Sequence, residues 1–156
     1  MINNLLPLLT YENIYLVVNW GVIPFWLLLI FMPYHTFTNI FLQSIIIPLI
    51  LGAAYAFVSY NIFIEGNILD SFELYSGLDG LYSMFSNEGF LLVFWLHFLA
   101  ISLFVGTWIA RNSQKYALPK IFVGISLIVT YFSGPIGLIF YWFIRIFYSK
   151  KINLDD

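Results

Sequence analysis

Four stretches of the chain run almost unbroken in apolar side chains: Ile14 to Met32, Ile40 to Phe63, Phe90 to Ala110 and Ile121 to Phe147. Each is close to or longer than the roughly 20 residues that a helix needs to cross a hydrocarbon core about 30 Å thick. The pattern predicts an all-α, polytopic membrane protein, with four transmembrane helices in one compact bundle formed by residues 1–156. Pro33 closes the first stretch, Pro119 stands where the fourth begins, and Lys150 and Lys151 mark its exit. Between the second and third stretches, IEGNILDSFELYSGLDGLYSMFSNEG holds five acids, four glycines and no base. It reads as a longer acidic loop outside the membrane, with a short amphipathic helix around Leu78 to Phe85. No stretch repeats another.

Composition sharpens this picture. The 156 residues are 62% hydrophobic and 9% charged, against about 25% charged in soluble domains, so the chain cannot clothe itself in a wettable surface. Without cysteine there are no disulfides, thiolate metal sites or cysteine nucleophiles. Six scattered basic residues and a net charge of −2 leave no footprint for nucleic acid. The amino terminus, MINNLLPLLTYEN, lacks the positive start and small-residue cleavage site of a secretory signal.

Four crossings would put both termini on one side. That side then holds all eight acids with Arg145, Lys150 and Lys151; the other holds Arg111, Lys115 and Lys120. The positive-inside rule counts lysine and arginine, and three against three scarcely favours either face; the second side is taken as cytoplasmic.

Small residues recur at helical spacing, as they do where membrane helices approach closely. The stripes are Ser44, Pro48, Gly52, Tyr55 and Ser59; Ser102, Gly106 and Ala110; and Ser126, Thr130, Ser133, Gly137 and Tyr141. They fit either interhelical packing or a cavity for a flat apolar ligand. Pro24, Pro48 and Pro135 lie inside stretches and predict kinks, the last strengthened by flanking Gly134 and Gly137.

His97 is the one ionisable side chain well inside a stretch, about 10 Å from its amino-terminal end at 1.5 Å per residue. Asn19 lies at similar depth, Ser59 and Tyr60 are shallower, and Tyr141 falls in the same half. Ionisable groups at membrane depth are costly and point to function; the bland alternative is a histidine satisfied by a carbonyl or by Asn19. Ser102 lies roughly 140° around the helix from His97, so the two form no simple dyad. His35 is too far in depth for a bis-histidine haem, and no lysine is placed for a retinal Schiff base. No carboxylate lies within a stretch to hold a metal, relay protons or complete a hydrolase triad. The residues therefore predict no metal and no cofactor. They predict a hydrophobic small molecule as partner, together with membrane lipids and a homo-oligomer or membrane complex.

The blocks NWGVIPFWLLLIFMP (19–33), WLHFLAISLFVGTWIARN (95–112) and SGPIGLIFYWFIR (133–145) resemble, in order and spacing, the ABA-deficient-four-like family. Asn19, Pro24, Trp26 and Pro33 match its first block, His97 and Gly106 its second, and Gly134, Pro135 and Gly137 its third. The family's plant members are required for neoxanthin synthesis, in which an epoxide end ring of violaxanthin becomes an allene. The resemblance implies a small integral membrane fold of about four helices, in a bacterial inner membrane or a photosynthetic membrane, acting on a carotenoid or other isoprenoid. The second block of the family usually carries an aspartate where this chain has Ser102, and often an arginine or other polar residue where it has Thr107.

Two functions follow. One is a redox-neutral isomerase with His97 as catalytic proton carrier and Asn19, Trp26, Tyr60, Ser102 and Tyr141 lining the ligand. The other is a non-catalytic protein that binds a carotenoid, quinone or lipid, or stabilises a membrane complex. The missing aspartate and the aromatic content (21%) favour the second modestly.

Overall fold

In the computed structural model, residues 10–42, 46–65, 72 and 75–150 are described, and every regular element among them is helical. The longest, α6 (Glu88–Lys115), begins where the Asn87 side-chain oxygen accepts the amide N–H groups of Gly89 (2.9 Å) and Phe90 (3.3 Å). This N-cap satisfies donors that the helix cannot. Glu88 in the first turn and Lys115 in the last complement the helix dipole. Its 28 residues rise about 42 Å. Leu92, Leu96, Leu99 and Leu103 form its buried stripe, while Leu91, Phe94, His97, Ile101 and Phe104 are exposed.

The first apolar stretch forms α1 (Tyr11–Gly21) and α2 (Ile23–Phe31), with a one-residue break at Val22. Pro24 sits in the first turn of α2, where its missing N–H leaves nothing unpaired. Among the described residues, Tyr11–Phe31 and α6 are the two helices long and apolar enough to cross a membrane. After Pro33 the chain turns, and His35 Nδ1 accepts the Phe37 amide N–H at 3.2 Å to cap α3 (Thr36–Phe41).

The second stretch, expected as one helix over 40–63, is divided. Its first residues belong to α3, and α4 (Ile46–Glu65) carries residues 46–63. Ser44 lies outside the described residues. Pro48 is the third described residue of α4. The amphipathic helix of the acidic loop is α5 (Leu78–Phe85), on the predicted residues.

The fourth stretch departs most from expectation. It is not one kinked span but a hairpin of α7 (Lys120–Ser133) and α8 (Pro135–Ser149). Gly134 makes the reversal with φ 56°, left-handed backbone that glycine adopts without steric penalty. Its N–H donates to the Thr130 carbonyl at 2.8 Å, and Pro135 opens α8. A Cβ at Gly137 would fall on the Thr130 backbone, so glycine is what lets the helices close. At the far end the Phe122 and Tyr148 rings lie 6.3 Å apart.

The chain divides into two compact units, Met1–Gly21 with Ile50–Leu99, and Val22–Leu49 with Ala100–Asp156. The first is built on Val58, Leu92 and Leu96, with Ile14, Val18, Ala54, Ile62 and Val93 against them. In the second, Trp26 lies against Gly106, where a Cβ would come within 2.8 Å of the indole, and meets Tyr131 edge-on at 5.4 Å. Large apolar side chains such as Val17, Trp20, Phe31, Phe132 and Phe147 face outward, while Ser102, Ser113, Ser126, Thr130 and Arg145 are buried.

Candidate ligand cavity

The first unit holds a cavity of about 520 Å³, inside the usual range for small-molecule sites. Three helices line it with residues at helical spacing: Tyr55, Ser59 and Ile62 from α4, Leu81, Met84 and Phe85 from α5, and Phe90, Val93, Phe94 and His97 from α6. The Phe85 and Phe94 rings pack edge-on at 4.8 Å. The wall is thus mainly aliphatic and aromatic, with Ser59, Tyr55 and His97 as its polar members.

His97 stands at the margin, exposed, on the face of α6 opposite the leucine stripe. Its ring centre is 6.0 Å from that of Tyr55, inclined at 52°, and it makes no hydrogen bond among the described residues. Among the described residues it is therefore not the histidine satisfied by a carbonyl or by Asn19. The leucines at 92, 96, 99 and 103 claim the buried face, and His97 falls in register with Phe94, Ile101 and Phe104. Ser59 Oγ is buried with no hydrogen-bond partner among the described residues. A ligand with a polar tip would meet one buried hydroxyl, one phenol and one imidazole in an otherwise apolar chamber.

The other side chains singled out in the sequence are elsewhere. Tyr60 is exposed and Asn19 half-buried, and neither lines the cavity. Trp26 is packed against Gly106 and Tyr131. Ser102 is buried on the leucine side of α6, in keeping with its angular separation from His97. Tyr141, grouped with His97 by depth, donates instead to Asn112 Oδ1 at 2.7 Å. Asn112 is fifteen residues farther along α6. The hairpin accounts for this, because α8 runs back toward the start of α7 instead of continuing across.

Around Tyr141 the second unit contains a polar cluster that the sequence reading did not assemble. Fully buried Arg145 donates through Nη2 to the Tyr116 hydroxyl at 3.1 Å, with its guanidinium 4.8 Å from that ring's centre. The Tyr34 hydroxyl donates to the Leu118 carbonyl at 3.1 Å and lies 3.3 Å from Ser113 Oγ. Gln114 donates to the Pro33 carbonyl and to Asn39 Oδ1 at 3.1 and 3.0 Å. The signal was present in two i, i+4 pairs, Asn112/Tyr116 and Tyr141/Arg145, which place polar groups on matching helical faces.

No curated protein and no solved structure matches the chain. A family model does, over residues 13–141, a range that takes in most of the residues described above, His97 and Gly137 among them. The chain belongs to the ABA DEFICIENT 4-like family.

Proposed function

We propose that this is a multi-pass integral membrane protein of carotenoid or related isoprenoid metabolism. Its cavity between α4, α5 and α6 takes the ring end of such a molecule. The observation that carries the reading is the composition of the wall. Phe85, Phe90, Phe94, Val93, Ile62 and Met84 suit a methylated hydrocarbon ring, while Ser59, Tyr55 and His97 suit an oxygen on that ring. Two long apolar helices, outward-facing aromatic and aliphatic side chains and buried hydroxyls support the membrane setting. Family membership supports the carotenoid context.

A second reading, redox-neutral isomerisation of the bound end group, is favoured by the placement of His97 beside Tyr55. Opening an epoxide toward an allene requires a proton delivered to the oxygen and another removed from carbon, and these two side chains can each carry one. Among the described residues no carboxylate lines the cavity, and Ser102 stands where the family usually has aspartate, so binding is the primary reading.

Expression in a carotenoid-producing host, followed by purification in mild detergent and analysis of bound and total pigment, tests both. Binding predicts co-purifying pigment that is lost when Val93→Trp fills the cavity. Catalysis adds a new isomer in the total extract that vanishes with His97→Ala. Pigment retained by Val93→Trp would remove the cavity from the account.

A further inference from the structure

The α7–α8 hairpin carries a consequence for topology that rests on the membrane reading above. Its helices have 14 and 15 residues and rise about 21 and 22 Å, short of a hydrocarbon core about 30 Å thick. The end of α8 returns to the start of α7, as the Phe122–Tyr148 contact records. The tip is suited to hydrocarbon. Phe132 and Ile136 are 75% and 62% exposed there, and Ser133 Oγ donates to the Val129 carbonyl at 2.7 Å. Gly134 is buried, its N–H bonded to Thr130, and Pro135 has no N–H to satisfy. Irregular backbone at membrane depth is tolerated when it is covered and paired in this way.

The open end is the reverse. Arg111 and Lys115 on the last turns of α6, Lys120 at the start of α7 and Lys150 after α8 are all exposed. Lys120 Nζ lies 5.6 Å from the Tyr34 ring centre and Arg145 bonds Tyr116, which ties these segments to one end of the unit. The sequence count of three bases against three assumed that the fourth stretch crosses. With the chain folded back, Lys150 joins Arg111, Lys115 and Lys120.

We propose that α7–α8 is a re-entrant hairpin that enters and leaves the bilayer through one face. That face is cytoplasmic, and the four exposed cations meet the anionic headgroups of its leaflet. Lysine and arginine beside short segments favour the cytoplasmic side and are drawn to its negative surface potential.

The absence of native cysteine makes single-cysteine labelling with a membrane-impermeant maleimide a direct test in intact and permeabilised cells. Glu88→Cys, at the opposite end of α6, is expected to label in intact cells. Lys115→Cys and Lys150→Cys are expected to label only after permeabilisation, and Phe132→Cys only after detergent. Lys115→Cys and Lys150→Cys reporting opposite faces would overturn re-entrance, as would ready labelling of Phe132→Cys in membranes. Both lysine positions labelling from outside would overturn the orientation. A fluorescent protein fused to the carboxyl terminus of the unsubstituted chain should fluoresce as a cytoplasmic reporter, and a dark, exported fusion counts against the proposal independently of any cysteine variant. Release of the chain by alkaline carbonate would instead remove the membrane reading itself.

Discussion

The α4–α5–α6 cavity and the α7–α8 hairpin are both built from apolar helices that carry aromatic side chains, yet they are packed in opposite ways. Along the hairpin the small residues of the seam are used for contact: Gly137 rides on the Thr130 backbone, and Ser126 and Thr130 are fully buried with their hydroxyls donated to the Phe122 and Ser126 carbonyls. At the cavity wall Ser59 keeps a buried hydroxyl that has no partner among the described residues, and Gly52, about one turn before Tyr55 on α4, has open space where a Cβ would go. Close packing uses up hydrogen-bonding capacity and volume; the cavity leaves both available. In a chain this small, that contrast separates architecture from a place for a ligand.

The contrast can be broken by substitution. The largest effect is expected from Gly137→Ala, whose methyl group would meet backbone that cannot step aside. A loss of about 3 kcal/mol or more is expected, at or beyond the upper end for overpacking, read as a fall in thermal midpoint and in the folded fraction recovered in detergent. Gly106→Ala meets the Trp26 ring at 2.8 Å, and a side chain can shift where backbone cannot, so about 1–2 kcal/mol is expected from the same measurement. Tyr141→Phe removes the donor to Asn112 Oδ1 and should cost about 1 kcal/mol, with pigment binding unchanged. Smallest is Gly52→Ala, which adds helix propensity in open space and should leave stability equal or raise it by up to about 1 kcal/mol. A Gly52→Ala variant as damaged as Gly137→Ala would erase the distinction between the two regions.

Much of the helical content was legible in the sequence, because apolar runs bounded by Pro33, Pro119 and the acidic loop leave few other solutions. The range of α5 followed from its amphipathic pattern between glycines. The hairpin was not legible, for a physical reason. Its apolar residues continue at helical spacing through SGPIG, and a 27-residue run passes for one kinked crossing. Arg145, two residues from the end of that run, stands where a crossing helix ordinarily carries a flanking base, and its burial is a property of its neighbours. The site was half legible. His97 was singled out, but its exposure depends on which face of α6 the leucines occupy. Tyr55 was visible only in a stripe, Ser59 in that stripe and by its depth near His97, and α5 as an amphipathic helix without its cavity.

Gly134 has a further consequence, for the order in which the chain takes shape. Contacts that close outward from this turn begin only seven residues apart in sequence, at Thr130 and Gly137, and end at Phe122 and Tyr148. Local contacts of this kind form fast, since little loop entropy is lost in making them. The hairpin is therefore expected to zip shut from its tip as soon as α8 has been synthesised, before Trp26 must find Gly106 across a separation of eighty residues.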